Sequence, residues 1–253
     1  MDWDKFALIY DWEFDLICDY QKQDINFWER FAQKYGNNLL ELGAGSGRVT
    51  LPLVKKGYNI YALDNSAKML ELLKIHSISI ENGGELNMVQ ANMADFSLNR
   101  FFDAVIVSYS SLQHLTAYPD ITNCLACIYR HLRPKGMVAF DLDPDVLSFP
   151  DTMPERQVYS GCNNQLKAQV TLFTSWFTDE KVRHWNDRYL LEYDDQHQEE
   201  FHNHIVLKAL YLNEMLSMLT AAGFRITDIA GGFEGENFNE KSERMLITAQ
   251  KKG

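Results

Sequence analysis

The sequence is short of cysteine, of basic residues and of long apolar runs, and each shortage removes a class of protein. Its four cysteines, Cys18, Cys124, Cys127 and Cys162, do not make the disulfide framework of a small secreted domain. Cys124 and Cys127 form a C-x-x-C pair, but the pair lies inside "ITNCLACIYRHL", a helical pattern, and no second pair accompanies it. Ordinary buried thiols are expected there, with no metal or redox centre. No apolar stretch approaches the ~20 residues that a membrane span needs, so no membrane partner is expected. Lys and Arg number 24 against 35 Asp and Glu, a net charge of −11. Phosphate backbones bind basic surfaces, so nucleic acid is not expected as a partner. The acidic, aromatic opening "MDWDKFALIYDWEFDLICDY" is unlike a secretory signal, which is basic and then apolar, and a cytoplasmic location is expected. Low-complexity tracts and internal repeats are also lacking.

What is present is an alternation of short apolar runs with helical patterns. Residues 1–36 read as a helical cap. Trp3, Phe6, Ile9, Tyr10 and Trp12 make an aromatic stretch, then Ile25, Trp28, Phe31 and Tyr35 recur at helical spacing before Gly36. "NLLEL" (38–42), "YNIYALD" (58–64), "ELNMVQA" (85–91), "FDAVIVSYS" (102–110) and "GMVAFDLD" (136–143) read as strands. Between them lie helical patterns: "GRVTLPLVKKG", in which Pro52 is awkward, "SAKMLELLKIHSI" with Ser66 as N-cap, and "ITNCLACIYRHLRPKG". Strands and helices at this rhythm give a parallel sheet covered on both faces.

After Pro144 the rhythm changes. "KAQVTLFTSWF", "KVRHWNDRYLLEY" and "EEFHNHIVLKALYL" read as three strands of an antiparallel meander with turns at Asp179–Glu180 and Asp194–Asp195. Val170, Leu172, Thr174 and Trp176 fall on one face, and Trp185, Tyr189, Leu191 and Tyr193 on another. "NEMLSMLTAAGF" is again helical, and "RITDIAGGF" and "SERMLITAQ" are two closing strands. The expected architecture is an α/β, doubly wound sheet (37–150 and 211–253) with the helical cap 1–36 and an inserted antiparallel patch at 151–210. That patch is either a lid or a homodimer surface.

The densest chemical signal is "LLELGAGSGRVTL". Gly43, Gly45 and Gly47 leave the first strand and open the next helix, which in an open parallel sheet is a ligand edge. Glycine lets a ligand touch main chain, and the helix start offers free N–H groups. The spacing is G-x-G-x-G. A dinucleotide fingerprint would need glycine where Arg48 stands, and a phosphate loop would need G-K-[ST]. Asp64 ends the second strand, where its carboxylate can accept from both hydroxyls of a ribose. "QANMADF" follows the third strand: Asp95 can accept from an exocyclic amine, and Met93 and Phe96 offer surface to a flat base.

In that order and spacing, "LLELGAGSGRVTLPL", "GYNIYALDNSAKMLELL", "VQANMADF", "FDAVIVSYSSLQHL" and "LRPKGMVAFDL" resemble the class I S-adenosylmethionine-dependent methyltransferases over roughly 37–143, with the final strand pair. The resemblance implies a seven-stranded Rossmann-like sheet with a reversed last strand. It also implies S-adenosyl-L-methionine as cofactor and S-adenosyl-L-homocysteine as product. The turn Gly43, Ala44, Gly45 and Gly47 would hold the methionine part, with Glu41 orienting its amine through neighbours or water. Asp64, with Asn65 and Met69, would hold the ribose side; Asp95 and Met93, with Asn92 and Ala94, the adenine; Ser108 and Tyr109 would line the sulfonium end. Arg48 would either reach the cofactor carboxylate, since arginine pairs well with carboxylates, or sit solvated in the first helical turn.

In-line displacement at an activated methyl asks the protein to align the acceptor, exclude water and handle a proton. His114 is the general-base candidate, since it follows the fourth strand and an unperturbed imidazole titrates near neutrality. Tyr10 is the second catalytic candidate, because in related small-molecule methyltransferases an N-terminal Tyr-Asp segment folds over the cofactor. Trp12, Asp141, Trp185 and Tyr189 are candidate acceptor contacts, with Asp143 beside Asp141. His202 and His204 would share a strand face but lack a third ligand, so no metal is expected. The expected function is methyl transfer to nitrogen or oxygen of a small-molecule acceptor. The competing readings are a protein that binds the cofactor without transferring methyl, a protein or peptide methyltransferase, and a nicotinamide oxidoreductase, which the glycine spacing disfavours.

Overall fold

The structure is a computed structural model, and it describes residues 7, 9–13, 23–164 and 166–253. Trp3, Phe6 and Cys18 of the sequence reading lie outside the described residues. Residues 9–13 are helical. After them come the helices α1 (Gln23–Tyr35), α2 (Thr50–Lys55), α3 (Ala67–Ser77), α4 (Tyr118–His131) and α5 (Leu212–Ala221). The strands are β1 (Asn38–Leu42), β2 (Asn59–Asp64), β3 (Leu86–Gln90), β4 (Phe102–Val107), β5 (Leu132–Leu142), β6 (Thr152–Asn163), β7 (Ala168–Asp179), β8 (Val182–Tyr193), β9 (Gln198–Lys208), β10 (Phe224–Ala230) and β11 (Met245–Lys251).

Seven strands form one sheet in the order β10-β11-β5-β4-β1-β2-β3. β1 pairs parallel to both β2 and β4, while β11 is antiparallel to β5 and to β10. The chain therefore runs outward from β1 to β3, returns to β4, and reverses only in β11. β1 and β4 are neighbours, so their carboxyl ends part at the point where the strand order turns back, which is where a crevice opens in such sheets.

Alternation along the strands assigns the two faces. Leu40 and Leu42 of β1 point to the side of α4 and α5, in a cluster with Val105, Val107, Leu125, Ile128 and Leu219. Leu39 points to the other side, with Ile60, Ala62, Ile106 and the α1 residues Trp28 and Phe31. Each fully buried Leu or Ile of this kind stabilises the fold by roughly 1.5–3 kcal/mol relative to an exposed one. Trp28 and Phe31 are buried and Ile25 and Tyr35 pack partly against the same cluster, so the helical spacing in 25–35 faces the sheet as expected. Ser66 caps α3 by accepting the Met69 N–H at 3.1 Å. Pro52 does not kink α2: it is the third residue of a one-and-a-half-turn helix, within the first turn where no intrahelical N–H bond is formed. Cys124 and Cys127 are free thiols buried on the inner side of α4, and Cys162 is an exposed free thiol; among the described residues no group of His, Cys, Asp and Glu is arranged to hold a metal ion.

The insertion differs from expectation in two ways. It is a sheet of four strands, β6-β7-β8-β9, not three. β6 escapes sequence reading because it is an edge strand with mostly exposed side chains, interrupted by Pro154 and Gly161, and carries no period-two alternation. The second correction concerns the faces. Leu172 pairs with Tyr189, Val170 with Leu191 and Trp176 with Trp185, so the two aromatic-rich rows share one face. That face packs on the 9–13 segment through Ile9, Tyr10 and Trp12 and on Met69 of α3. It roofs the carboxyl ends of the larger sheet. No described helix is long and apolar enough to cross a membrane.

Candidate active site

Between the two sheets lies a cavity of about 1160 Å³. Its floor is the carboxyl edge of β1, β2 and β4, and its roof is the inner face of β7, β8 and β9 with the 9–13 segment at one side.

The glycine turn is shaped by backbone bonds to the neighbouring strand. The N–H groups of Gly43 and Ala44 both donate to the Leu63 carbonyl, at 2.8 and 3.1 Å. Gly45 donates its N–H to Asp64 Oδ2 at 2.8 Å, and Ser66 donates its own to Oδ1 at 2.9 Å. Asp64 thus anchors the turn and the start of α3, Oδ2 accepting from Gly45 and Oδ1 from Ser66. Gly43, Gly45 and Gly47 all have positive φ, but they differ in surroundings. A Cβ on Gly47 would lie 2.3 Å from Leu73 Cδ1, whereas on Gly45 the nearest atom is the Tyr10 hydroxyl at 4.0 Å. Gly47 is glycine for packing. Gly45 borders open cavity, so its bare backbone is available to a ligand. A cradle of this kind suits the methionyl part of S-adenosylmethionine, with Asp64 beside it for the ribose.

Glu41 is buried at the end of β1, where Oε2 accepts from Thr50 Oγ1 and Oε1 from Ser108 Oγ at 3.4 Å. Burial pushes its pKa from 4.5 up to about 7, against the two hydroxyl bonds that favour the anion. The native chain therefore holds this proton to higher pH than the unfolded chain. The associated stability is fully present below 4.5 and is lost as pH rises through 7. Glu41→Gln is expected to stabilise the ligand-free protein by ~1–3 kcal/mol above pH 8 and by nothing at pH 4.5, read from urea melts at both pH values. Equal melts of variant and parent at pH 8 would remove the buried carboxyl from the account.

Arg48 is not a solvated residue. It pairs with buried Asp24 of α1, and its guanidinium lies over the Tyr109 ring, 5.2 Å from the centroid. Burial disfavours its charge, but Asp24 beside it more than offsets this and keeps it a cation. It lines the cavity next to Gly45.

The third strand end supplies less of the cavity than expected. Asn92 and Met93 line it, with Asn65 and Met69 alongside. Ala94 is buried and donates its N–H to Asn92 Oδ1 at 2.9 Å; Asp95 is exposed, and neither borders the cavity. Phe96 stacks on His131 in the core, centroids 4.7 Å apart, and is not a wall for a base.

After β4, Tyr109 and Ser110 both adopt left-handed backbone, which turns the chain sharply into the 3-10 turn Ser111–His114. Asp141 of β5 holds that turn: its Oδ2 accepts the Tyr109 N–H at 2.9 Å and its carbonyl the Ser110 N–H at 2.9 Å. Arg244 donates to Asp141 Oδ1 at 2.6 Å and to Ser110 Oγ at 3.1 Å. Asp141 borders the cavity but is itself fully buried and fully engaged, a support for the loop. Asp143, whose carboxyl burial raises, lines the cavity and accepts the Asp145 N–H at 2.7 Å. Gln113 bridges β5 to β9 through the carbonyls of Asp143 and Lys208.

His114 lines the cavity, and its Nδ1 lies 2.9 Å from the Val206 carbonyl. A carbonyl only accepts, so Nδ1 carries the hydrogen and Nε2 the lone pair. Burial pulls its pKa from 6.5 to about 4. The premise that it titrates near neutrality therefore fails: the imidazole is neutral at pH 7 and only weakly basic.

The 9–13 segment closes over the glycine turn. Ser46 Oγ donates to Asp11 Oδ1 at 2.6 Å, and Tyr10 faces the cavity. Glu13 borders the cavity and accepts from the Tyr189 hydroxyl at 2.7 Å; burial raises its pKa to about 7. Trp185 also lines the cavity. Trp12 and Tyr189 do not: Trp12 packs edge-on against Tyr159, and Tyr189 stacks on Phe201 beneath the surface. The sequence reading missed Asp24, Gln113, Asp187 and Arg244. Only Asp187 carried a signal, an acid in phase with the inward row Trp185, Tyr189 and Leu191.

A parallel sheet with one reversed strand, a glycine turn closing its central strand and an acid closing the next are the build of the class I S-adenosylmethionine-dependent methyltransferases. Residues 39–136 match the family model described as "Methyltransferase domain". Over those residues the chain is similar to that methyltransferase domain, and its fold is that of S-adenosylmethionine-dependent methyltransferases. Over its whole length it is similar to a putative methyltransferase, YqeM of Bacillus subtilis (strain 168), with 22% identity over 261 residues, 99% of this chain and 98% of the relative. In fold it is similar to an S-adenosylmethionine-dependent methyltransferase from Clostridium acetobutylicum ATCC 824 (TM-score 0.80, 18% identity, 99% of each chain). It is also similar to the sugar N-methyltransferase KedS8 from Streptoalloteichus sp ATCC 53650 (TM-score 0.75, 18% identity, 96% of this chain and 93% of that one).

Proposed function

We propose that this enzyme methylates nitrogen or oxygen of a small molecule held wholly inside the cavity between the two sheets. The observation that carries the reading is the roof: a four-stranded sheet and the 9–13 segment cover the strand ends, leaving a roofed cleft of about 1160 Å³. Such a space suits a small ligand beside a nucleoside cofactor, not a protein strand or a nucleic acid. The fold shared with a sugar N-methyltransferase supports it.

When bound, S-adenosylmethionine supplies a methyl on positively charged sulfur. In this reading Gly43, Ala44, Gly45, Gly47 and Arg48 hold its amino-acid end, Glu41 orients the amine, and Asp64 with Asn65 and Met69 holds the ribose. Asn92 and Met93 border the adenine, and Ser108 and Tyr109 the sulfonium end. Residues 37–150 with 211–253 are the cofactor unit, 1–36 a lid that carries Tyr10, and 151–210 the acceptor lid, which also offers a homodimer surface. The protein works in the cytoplasm. His114 accepts the acceptor's proton at Nε2, directly or through water, and Tyr10 positions the acceptor over the glycine turn.

Calorimetry of the full chain with S-adenosylmethionine and with S-adenosylhomocysteine is expected to give saturable one-to-one binding. His114→Ala is expected to leave those isotherms unchanged and to lower turnover by about tenfold or more, the low end for a general base because of its low pKa. Unchanged turnover would remove His114 as base, and silent calorimetry would remove the cofactor assignment with it.

A further inference from the structure

The cavity roof carries a polar row that the cofactor reading does not use. Thr174, Asp187 and Asn203 are direct cross-strand neighbours on β7, β8 and β9, so they project from the same face of the sheet. Asp187 is 7% exposed and lines the cavity. Its Oδ1 accepts from Thr174 Oγ1, and among the described residues no cation and no other hydrogen bond meets its carboxylate. Asn203 is 4% exposed, and neither its Nδ2 nor its Oδ1 has a partner among the described residues. Buried polar groups are normally satisfied, and an unpaired one costs about 1–3 kcal/mol, more for a charge. Asn203 lies beside Asp187 in the sheet but does not border the cavity; Asp187, a carboxylate that meets no cation among the described residues, does, and it is the group placed to meet a ligand.

The charge of that ligand follows from the rest of the cavity. Its only guanidiniums among the lining residues, Arg48 and Arg244, are paired with Asp24 and Asp141 on the floor. Asp64 holds backbone N–H groups. The roof therefore keeps an uncompensated acid, with Glu13 lining the same space. An anionic acceptor would be repelled, and a neutral alcohol would leave Asp187 without a counter-charge. Trp185, two residues along the same face, adds an aromatic surface that attracts cations. Resting on the small-molecule methyltransferase reading above, we infer that the acceptor is a small protonated amine, its ammonium held by Asp187. Burial raises the Asp187 pKa to about 6 with no cation to oppose it, which is the signature of a carboxylate awaiting one.

The test uses the full chain saturated with S-adenosylhomocysteine and a series of cyclic amino alcohols, each matched with its diol and its hydroxy acid. Glucosamine, glucose and glucuronate are one set; trans-4-aminocyclohexanol, its diol and its carboxylic acid are another. Binding is followed by calorimetry and methylation by labelled methyl from S-adenosylmethionine. At least one amine is expected to bind and be methylated in preference to its diol and acid. Asp187→Asn is expected to weaken that amine about 10–100-fold while the S-adenosylhomocysteine isotherm stays within about twofold of the parent. Preference for a diol or an acid, no amine bound by a chain that binds S-adenosylhomocysteine, or full amine affinity in Asp187→Asn each overturns the inference and leaves the cofactor assignment standing. Loss of S-adenosylhomocysteine binding in the parent chain overturns the underlying reading instead.

Discussion

Asp141→Ala is expected to destabilise the protein by about 3–5 kcal/mol, the largest effect of any single change considered, and to abolish turnover. Asp141 has no exposed surface, yet it joins three segments far apart in the chain: β5, the turn after β4 and the start of β11. Removing its side chain leaves the Arg244 guanidinium buried without its counter-charge and the Tyr109 N–H without its acceptor, while the backbone carbonyl still accepts from Ser110. Arg244 is kept charged because Asp141 offsets the burial that would otherwise disfavour it. Breaking one side of such a pair costs more than removing both, because the survivor stays buried and charged. Arg244→Met alone should therefore destabilise strongly, and Asp141→Ala with Arg244→Met by less than the sum of the two. Urea midpoints for the four proteins give the coupling directly. Additive losses would show that the pair is not a unit. Because Asp141 holds Tyr109 and Ser110 in left-handed backbone at the cavity floor, the single variant should lose activity even below its melting temperature.

Asp64→Ala is expected to weaken S-adenosylhomocysteine by about 2–3 kcal/mol, roughly 30–150-fold, with a smaller loss of stability. The carboxylate has two tasks. It fixes the Gly45 and Ser66 N–H groups, and in the proposed site its carboxylate accepts from the ribose hydroxyls. Asp64→Asn separates these tasks. The amide oxygen can still accept from Gly45, so the turn should persist, while the NH2 group replaces the acceptor that Ser66 N–H and the second ribose hydroxyl would use. The expected order of affinity is parent, then Asn, then Ala, with Asn melting below the parent but above Ala. An Asn variant that binds like the parent would confine Asp64 to a structural part.

Much of this molecule could be read along the chain. The helix and strand rhythm from Asn38 to Leu142 was legible because the apolar runs are short, β1 ends at a glycine and β2 in an acid, and a helical period follows β1, β2 and β4. The Gly43–Gly47 turn was legible because neither a dinucleotide nor a phosphate loop has its spacing. Ser66 could be named as a cap from its place before "AKMLELL". β6 was illegible because an exposed edge strand has no face that must be apolar. Asp95 and Phe96 read as cofactor contacts because proximity to a strand end is all the sequence offers. In the fold the chain turns after Met93, leaving Asp95 to solvent and Phe96 to the core.

The local chemistry of the chain, then, determined the order of elements in the larger sheet, the glycine turn and the acid one strand over, because backbone freedom and hydrophobic period are properties of neighbouring residues. Tertiary structure alone decided which charges are neutralised. Arg48 meets Asp24 and Arg244 meets Asp141 across 24 and 103 positions, while Asp187 meets no cation among the described residues. Burial and charge pairing depend on what other segments bring to the same few ångströms, and no local pattern encodes that.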